Sequence, residues 1–146
     1  MMRGLRSVLG VLATAVIITS CGKENFAPEI ALESCGPTTV VEFVDSIEIV
    51  LSFRDMDGDL GENYTDDKNL FVLDSRLGLY HTYRISSLVP GGASVPIQGE
   101  LKFTIPSVFL STAQLNEEKV HYTIHVIDRA GNESNRVETP QITITK

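Results

Sequence analysis

The chain has 146 residues with 12 bases against 19 acids, and 42% of its residues are hydrophobic, material for one core rather than two. Setting aside the first 20 residues leaves 126, with 10 bases, 19 acids and a net charge of −9. A surplus of that sign argues against nucleic acid, whose phosphates reward clustered lysine and arginine, and it gains nothing from an anionic membrane surface.

The chain opens with Arg3 and Arg6 and no acid, followed by an uncharged and mostly apolar run of 12 residues, Val8 to Thr19. This is the layout of a secretory signal peptide, and it falls short of the roughly 20 residues that span a bilayer. The segment ITSCG, Ile18 to Gly22, resembles the lipobox of bacterial lipoproteins, in which branched apolar and small residues precede a cysteine. The resemblance implies that residues 1–20 are a signal peptide, that Cys21 is diacylated and becomes the mature N-terminus, and that residues 21–28 are a lipidated tether. Each buried methylene contributes roughly 0.8 kcal/mol, so two or three acyl chains anchor a protein stably. The expected partner is therefore a membrane, reached through lipid and not by spanning it. Lys23-Glu24-Asn25 is similar to the surface-export signal of Bacteroidetes lipoproteins, which carries two acids after the lysine. With one acid here, both faces of the outer membrane of a bacterial envelope stay open.

Cys35, in ESCGPTT, is the second of two cysteines. With Cys21 acylated it has no disulfide partner in the chain, and no histidine lies nearby in sequence. It reads as an inert residue at a turn before Pro37 and not as a nucleophile.

From residue 29 onward the chain reads as β. SIEIVLSF, Ser46 to Phe53, puts Ile47, Ile49, Leu51 and Phe53 on one face and Glu48 and Ser52 on the other. NLFVLD, LYHTYRIS and ELKFTI follow, the last aligning Leu101, Phe103 and Ile105. KVHYTIHVID aligns Val120, Tyr122, Ile124 and Val126, and QITIT closes the chain. Such alternation marks strands with one buried side. Asp57-Gly58, Pro90-Gly91-Gly92 and Gly131-Asn132 supply turns, because glycine and asparagine accept positive φ. About seven short strands predict an all-β fold, a single Greek-key β-sandwich over residues 29–146. PSVFLSTAQLNEEK, Pro106 to Lys119, is where a helical turn is expected.

The first of these strands runs into the acidic segment RDMDGDLGEN. Asp55, Asp57, Asp59, Glu62, Asp66 and Asp67 fall within Asp55–Asp67 without a base among them, and such a loop repels itself unless a counter-ion is present. Ca²⁺ takes about six to eight oxygen ligands, and aspartates on a glycine-bent backbone are a usual way to supply them. An EF-hand would place Asp55, Asp57 and Asp59 at its first three ligand positions and Asp66 at its last, but Leu60 stands where the turn requires glycine and no helices flank the loop.

In a β context DGDLGEN, Asp57 to Asn63, matches the Asp-x-Asp-x-Gly-x-Asn motif of cadherin-type repeats, and YTIHVIDRAGNES, Tyr122 to Ser134, resembles the penultimate strand of cadherin and bacterial immunoglobulin-like domains. LNEE, Leu115 to Glu118, loosely resembles the acidic motif before that strand. The resemblance covers most of Asp45 to Lys146 and implies Asp57, Asp59 and Asp128 as Ca²⁺ ligands, with Glu118 or Glu117 as a fourth. Together with Asp55 and Asn63 of the loop, the candidate metal ligands are Asp55, Asp57, Asp59, Asn63, Asp128 and Glu118. The match has departures: Glu117 stands where cadherins have arginine, Asn116 where they have aspartate, and no calcium-binding linker follows Lys146. A plainer reading stands beside it, in which the aspartates cap their own backbone amides and Asp128 to Ser134 is only a hairpin with Gly131 left-handed.

Catalysis is less well supported. Paired carboxylates perform glycoside hydrolysis across a cleft, but a solvated loop lacks the apolar pocket that raises one of their pKa values, and there is no Gly-x-Ser-x-Gly. His121 and His125 share a strand face roughly 13 Å apart, too far to chelate one ion, and His81 stands alone. There is no tryptophan for stacking on sugars; Tyr64 and Tyr80 would be the first candidates. The reading is a non-catalytic, lipid-anchored envelope module with a Ca²⁺-stabilised loop and with envelope proteins or glycans as possible partners. A small hydrolase using the acidic loop, or a spacer or assembly subunit, are the alternatives.

Overall fold

The computed structural model describes residues 26–63, 67–89 and 95–146. The expected signal peptide with Cys21, the Pro90-Gly91-Gly92 turn, Tyr64 and Asp66 lie outside the described residues.

Ten strands and no helix are found among the described residues, as an all-β chain requires. β1 (Glu29–Gly36), β3 (Ile47–Asp55) and β6 (Ile97–Ile105) form an antiparallel sheet in the order β1-β3-β6. β4 (Leu70–Asp74), β5 (Tyr80–Tyr83), β8 (Tyr122–Val126) and β9 (Val137–Glu138) form a second, ordered β5-β4-β8-β9. β2 (Thr39–Val41), β7 (Glu117–Val120) and β10 (Ile142–Thr145) form a third, β2-β10-β7, in which β2 runs parallel to β10. A cis peptide joins Gly36 to Pro37 between β1 and β2.

The second and third sheets share two strand paths, each with a break. β7 and β8 are separated by His121, whose N–H donates to Ser75 Oγ at 3.1 Å and whose carbonyl accepts the Ser75 N–H at 3.2 Å. The β4–β5 turn thus takes the place of a neighbouring strand at that point. β9 and β10 are separated at Pro140, which has no N–H for a ladder. Beside it the Thr139 hydroxyl accepts the Tyr122 N–H at 3.0 Å.

The predicted faces are those that are buried. Ile47, Ile49, Leu51 and Phe53 line the core from β3, and Val120, Tyr122, Ile124 and Val126 line it from β7 and β8 in spite of the break. Leu70 and Val72 of β4 and Ile142 and Ile144 of β10 close it. Each such side chain contributes roughly 1.5–3 kcal/mol by leaving water. The outcome is one core between layers, the coarse plan of a β-sandwich. Of the helical turn expected in Pro106–Lys119 there is one hydrogen-bonded turn, the Leu115 N–H donating to the Thr112 carbonyl at 3.3 Å, followed by β7, whose Glu117–Val120 pairs with β10.

Where β4 turns into β5, Arg76 closes one end of the core. Its side chain is 7% exposed and bonds Asp74 Oδ1 and Oδ2, Glu118 Oε2 at 2.9 Å and the Phe109 carbonyl at 2.8 Å. Asp74, 1% exposed, also accepts the backbone N–H of Arg76. Burial works against the Asp74 anion, yet the bonds and charge of Arg76 hold its carboxyl below the usual carboxylate range. Removing one partner of a buried pair leaves an uncompensated charge, a loss of about 3 kcal/mol or more. Arg76→Met should therefore lower stability by that amount in urea denaturation, and a loss below about 1 kcal/mol would show the network to be dispensable.

Candidate metal centre

Why Asp55 is buried follows from period two. Positions 47, 49, 51, 53 and 55 of β3 all face inward, so the first aspartate of the acidic segment continues the apolar series and is fully buried. Two residues beyond the motif's first half, Leu60 is fully buried as well and draws the loop back over the core. Its N–H donates to Asp55 Oδ2 at 2.7 Å. Gly58 and Gly61 make the return possible with φ of +70° and +95°. A Cβ on Gly58 would collide with the Val95 carbonyl, and one on Gly61 with the Ser86 carbonyl.

The hairpin after β8 clamps the loop from the other side. The Ala130 N–H donates to Asp59 Oδ2 at 3.0 Å, and the Arg129 N–H donates to the Asp59 carbonyl at 3.3 Å. One oxygen each of Asp55 and Asp59 is thus committed to a backbone amide. Their Oδ1 atoms are buried and accept no hydrogen bond. One oxygen each of Asp55, Asp57 and Asp59 lies within 4.8 Å of the others. Calcium binds oxygen at about 2.3–2.6 Å, so two ligands of one ion stand at most roughly 5 Å apart. The triad could therefore hold a metal ion.

The electrostatics agree with that geometry. Burial and then the neighbouring Asp55 and Asp59 push the Asp57 carboxyl up to about 6. Asp59 is raised by burial first and then by Asp128 and Asp55, with the Ala130 amide and Arg129 working in the opposite direction. Three carboxylates in mutual contact favour whatever neutralises them, a proton or a cation.

The other candidate ligands go elsewhere. Asn63 Oδ1 accepts the Ser87 N–H at 2.9 Å, tying the loop to the β5–β6 connection. Asp128 is buried beside Asp59, but its carboxylate accepts the Asn132 N–H and side-chain amide, both at 2.8 Å, as a hairpin cap would. Gly131 there has the expected positive φ, +84°. Glu118 is removed from the set. It sits on β7, bonded to Arg76 and to the Ser111 N–H and hydroxyl, near Asp74, which pairs with Tyr122 at the start of β8, whereas Asp128 follows the end of β8. Glu117, its alternative, is exposed on the same strand.

The loop thus accommodates both readings of its sequence, since Asp55 and Asp59 accept from backbone amides while one oxygen of each of the three aspartates lies within 4.8 Å of the others. Sequence reasoning overlooked Ala130 and Arg129, which lie 71 and 70 residues from Asp59 and carry no local signal. It also took Leu60 only as a mismatch to the EF-hand, although an apolar residue in so polar a stretch marks a return to the core.

Among the described residues the remaining chemistry-bearing side chains do not form a second metal-ligating group. Cys35 is half-buried at the end of β1, and burial pushes its thiol up, away from the thiolate that a nucleophile needs. Tyr80 lies on the outer side of its sheet, edge-on to Phe71 and His125.

His125 stacks flat on Phe71 at 5.1 Å between ring centroids, and its Nδ1 is buried without a hydrogen-bond partner. Burial lowers its pKa from 6.5, outweighing the nearby Glu133. The unfolded chain therefore binds the proton more readily, so stability from this group is complete above pH 6.5 and falls as pH drops through that value. His125→Phe should remove this component: the melting temperature of the native protein should drop relative to the variant between pH 7.5 and 5.5. Parallel pH curves would show that His125 is not the titrating group.

Comparison with protein-family models, with curated proteins and with solved structures gives no match.

Proposed function

We propose that the protein is a non-catalytic module of the bacterial cell envelope, anchored by lipid on Cys21, in which Ca²⁺ bound by Asp55, Asp57 and Asp59 rigidifies the end of a Greek-key, immunoglobulin-like sandwich. The observation that supports this best is the convergence of three carboxylate oxygens around the fully buried Asp55. The ion would hold the end of β3 in place and, through Asp59, its contact with the hairpin at Arg129 and Ala130. The remaining coordination positions suit Ca²⁺, which tolerates irregular geometry and water, better than Mg²⁺ with its strict octahedron.

The hydrolase reading is weaker for a steric reason. A substrate needs a cleft, and the neighbouring cleft, about 350 Å³ and lined in part by Glu62, Lys68, Asn69 and Asp128, does not include the triad. Carboxylates that face one another at ionic distance leave room for a cation and none for a sugar ring. Envelope proteins or glycans are the partners such a module would present itself to, with the cation as a structural cofactor.

The melting temperature of the chain from residue 22 onward should rise by several degrees on moving from chelator to millimolar Ca²⁺, since a ligand at a hundred times its dissociation constant adds roughly 2.7 kcal/mol. The rise should be smaller with Mg²⁺ and absent in an Asp57→Asn, Asp59→Asn double variant. Equal melting with and without Ca²⁺ would reduce the triad to turn chemistry. The anchor is tested separately: Cys21→Ser should release the protein from membranes into the soluble fraction, and retention in the membrane pellet would count against lipidation.

A further inference from the structure

β6 is the longest strand that ends a sheet with one flank unpaired by another strand. Ile97–Ile105 pairs along its whole length with β3 on one side, and among the described residues no strand pairs on the other. Pro96 and Pro106 bracket it, limiting the open edge to these nine residues. Exposed main-chain donors and acceptors on such an edge are a template for another strand.

The residues of that edge are complementary to themselves in reverse. Read antiparallel about Leu101, IQGELKFTI sets Ile97 against Ile105, Gln98 against Thr104, Gly99 against Phe103 and Glu100 against Lys102, and then repeats the same pairs by symmetry. Each opposition is favourable or accommodating: apolar with apolar, polar with polar, glycine beside a large ring, acid with base. Glu100 and Lys102 are both exposed. Lys102 now pairs with Glu48 of β3 at 2.8 Å, with both side chains more than half exposed, so that contact is weak and open to exchange. Ile97, Leu101 and Phe103 are only half-buried, because their sheet stops at this strand. Tyr83 donates its hydroxyl to the Thr104 carbonyl, which keeps a second lone pair.

Charge also selects the register. A slip of one residue would turn the apolar face outward. A slip of two sets Glu100 against Glu100 or Lys102 against Lys102, which is repulsive. Charges on an edge ordinarily discourage partners, but this pair discourages the adjacent slips and favours the register centred on Leu101.

We propose that β6 is a homodimerisation edge, on which a second copy of this chain adds its own β6 antiparallel about Leu101, joining two three-stranded sheets into one of six strands across a two-fold axis. The inference is independent of the metal reading.

Sedimentation equilibrium of the full chain in a density-matched detergent tests it. The native protein should show a concentration-dependent monomer–dimer equilibrium. Lys102→Glu and Glu100→Lys, which each create two like-charge oppositions, should weaken the dimer about tenfold or more. The combined swap, Glu100→Lys with Lys102→Glu, should restore it, with circular dichroism unchanged throughout. A monomer at every concentration, a dimer indifferent to the single reversals, or a double swap that fails to recover association would each overturn the proposal. Indifference would in addition place any association in another part of the molecule or in the micelle.

Discussion

The hydrogen bond from the Leu60 amide to Asp55 is the contact on which the acidic end of the molecule depends. Leu60 must be in the core, Asp55 is there because the alternation of β3 leaves it no other side, and the bond between them satisfies one carboxylate oxygen and leaves the other inside without a donor. A buried carboxylate oxygen without a hydrogen bond is costly. The fold places more acid there, Asp57 and Asp59, where a base would have been the ordinary remedy, and the three carboxylates come close enough that they could hold a metal ion.

The opposite end shows how the same chain treats a buried carboxylate that it neutralises itself. Asp74 is as deeply buried as Asp55, but Arg76 is only two residues away and reaches both of its oxygens while Glu118 and the Phe109 carbonyl take the rest of the guanidinium. One site is internally complete and the other is not. Burial is therefore no explanation for the difference, and the missing base is.

Much of this was legible from the sequence because one buried face imposes a period of two. The inward series of β3 and of β7 and β8 could be read residue by residue, β4 and β10 as apolar runs, and the turns at Gly58 and Gly131 from their glycines. β1 was overlooked because a bulge between Leu32 and Ser34 breaks its alternation, while β2 and β9, at three and two residues, are too short to show a period. The candidate ligands divide along the same line. Asp55, Asp57 and Asp59 are brought together by their own stretch of backbone, whereas the role of Glu118 was settled by Arg76, 42 residues away in sequence, and that of Asp128 by Asn132.

Gly58 and Gly61 differ in kind from the aspartates that they separate. The space each would need for a side chain is filled by main chain from Val95 and Ser86, and main chain does not step aside as a side chain can. These two positions therefore belong to the architecture whether or not an ion is present, while Asp55 and Asp59 divide their oxygens between the backbone amides of Leu60 and Ala130 and the acidic cluster. Across sequences that share this fold the two sets are free to drift apart only in part: a chain that has kept the glycines and the amide caps of Asp55 and Asp59 would retain the loop as a turn, with or without a third acid beside them.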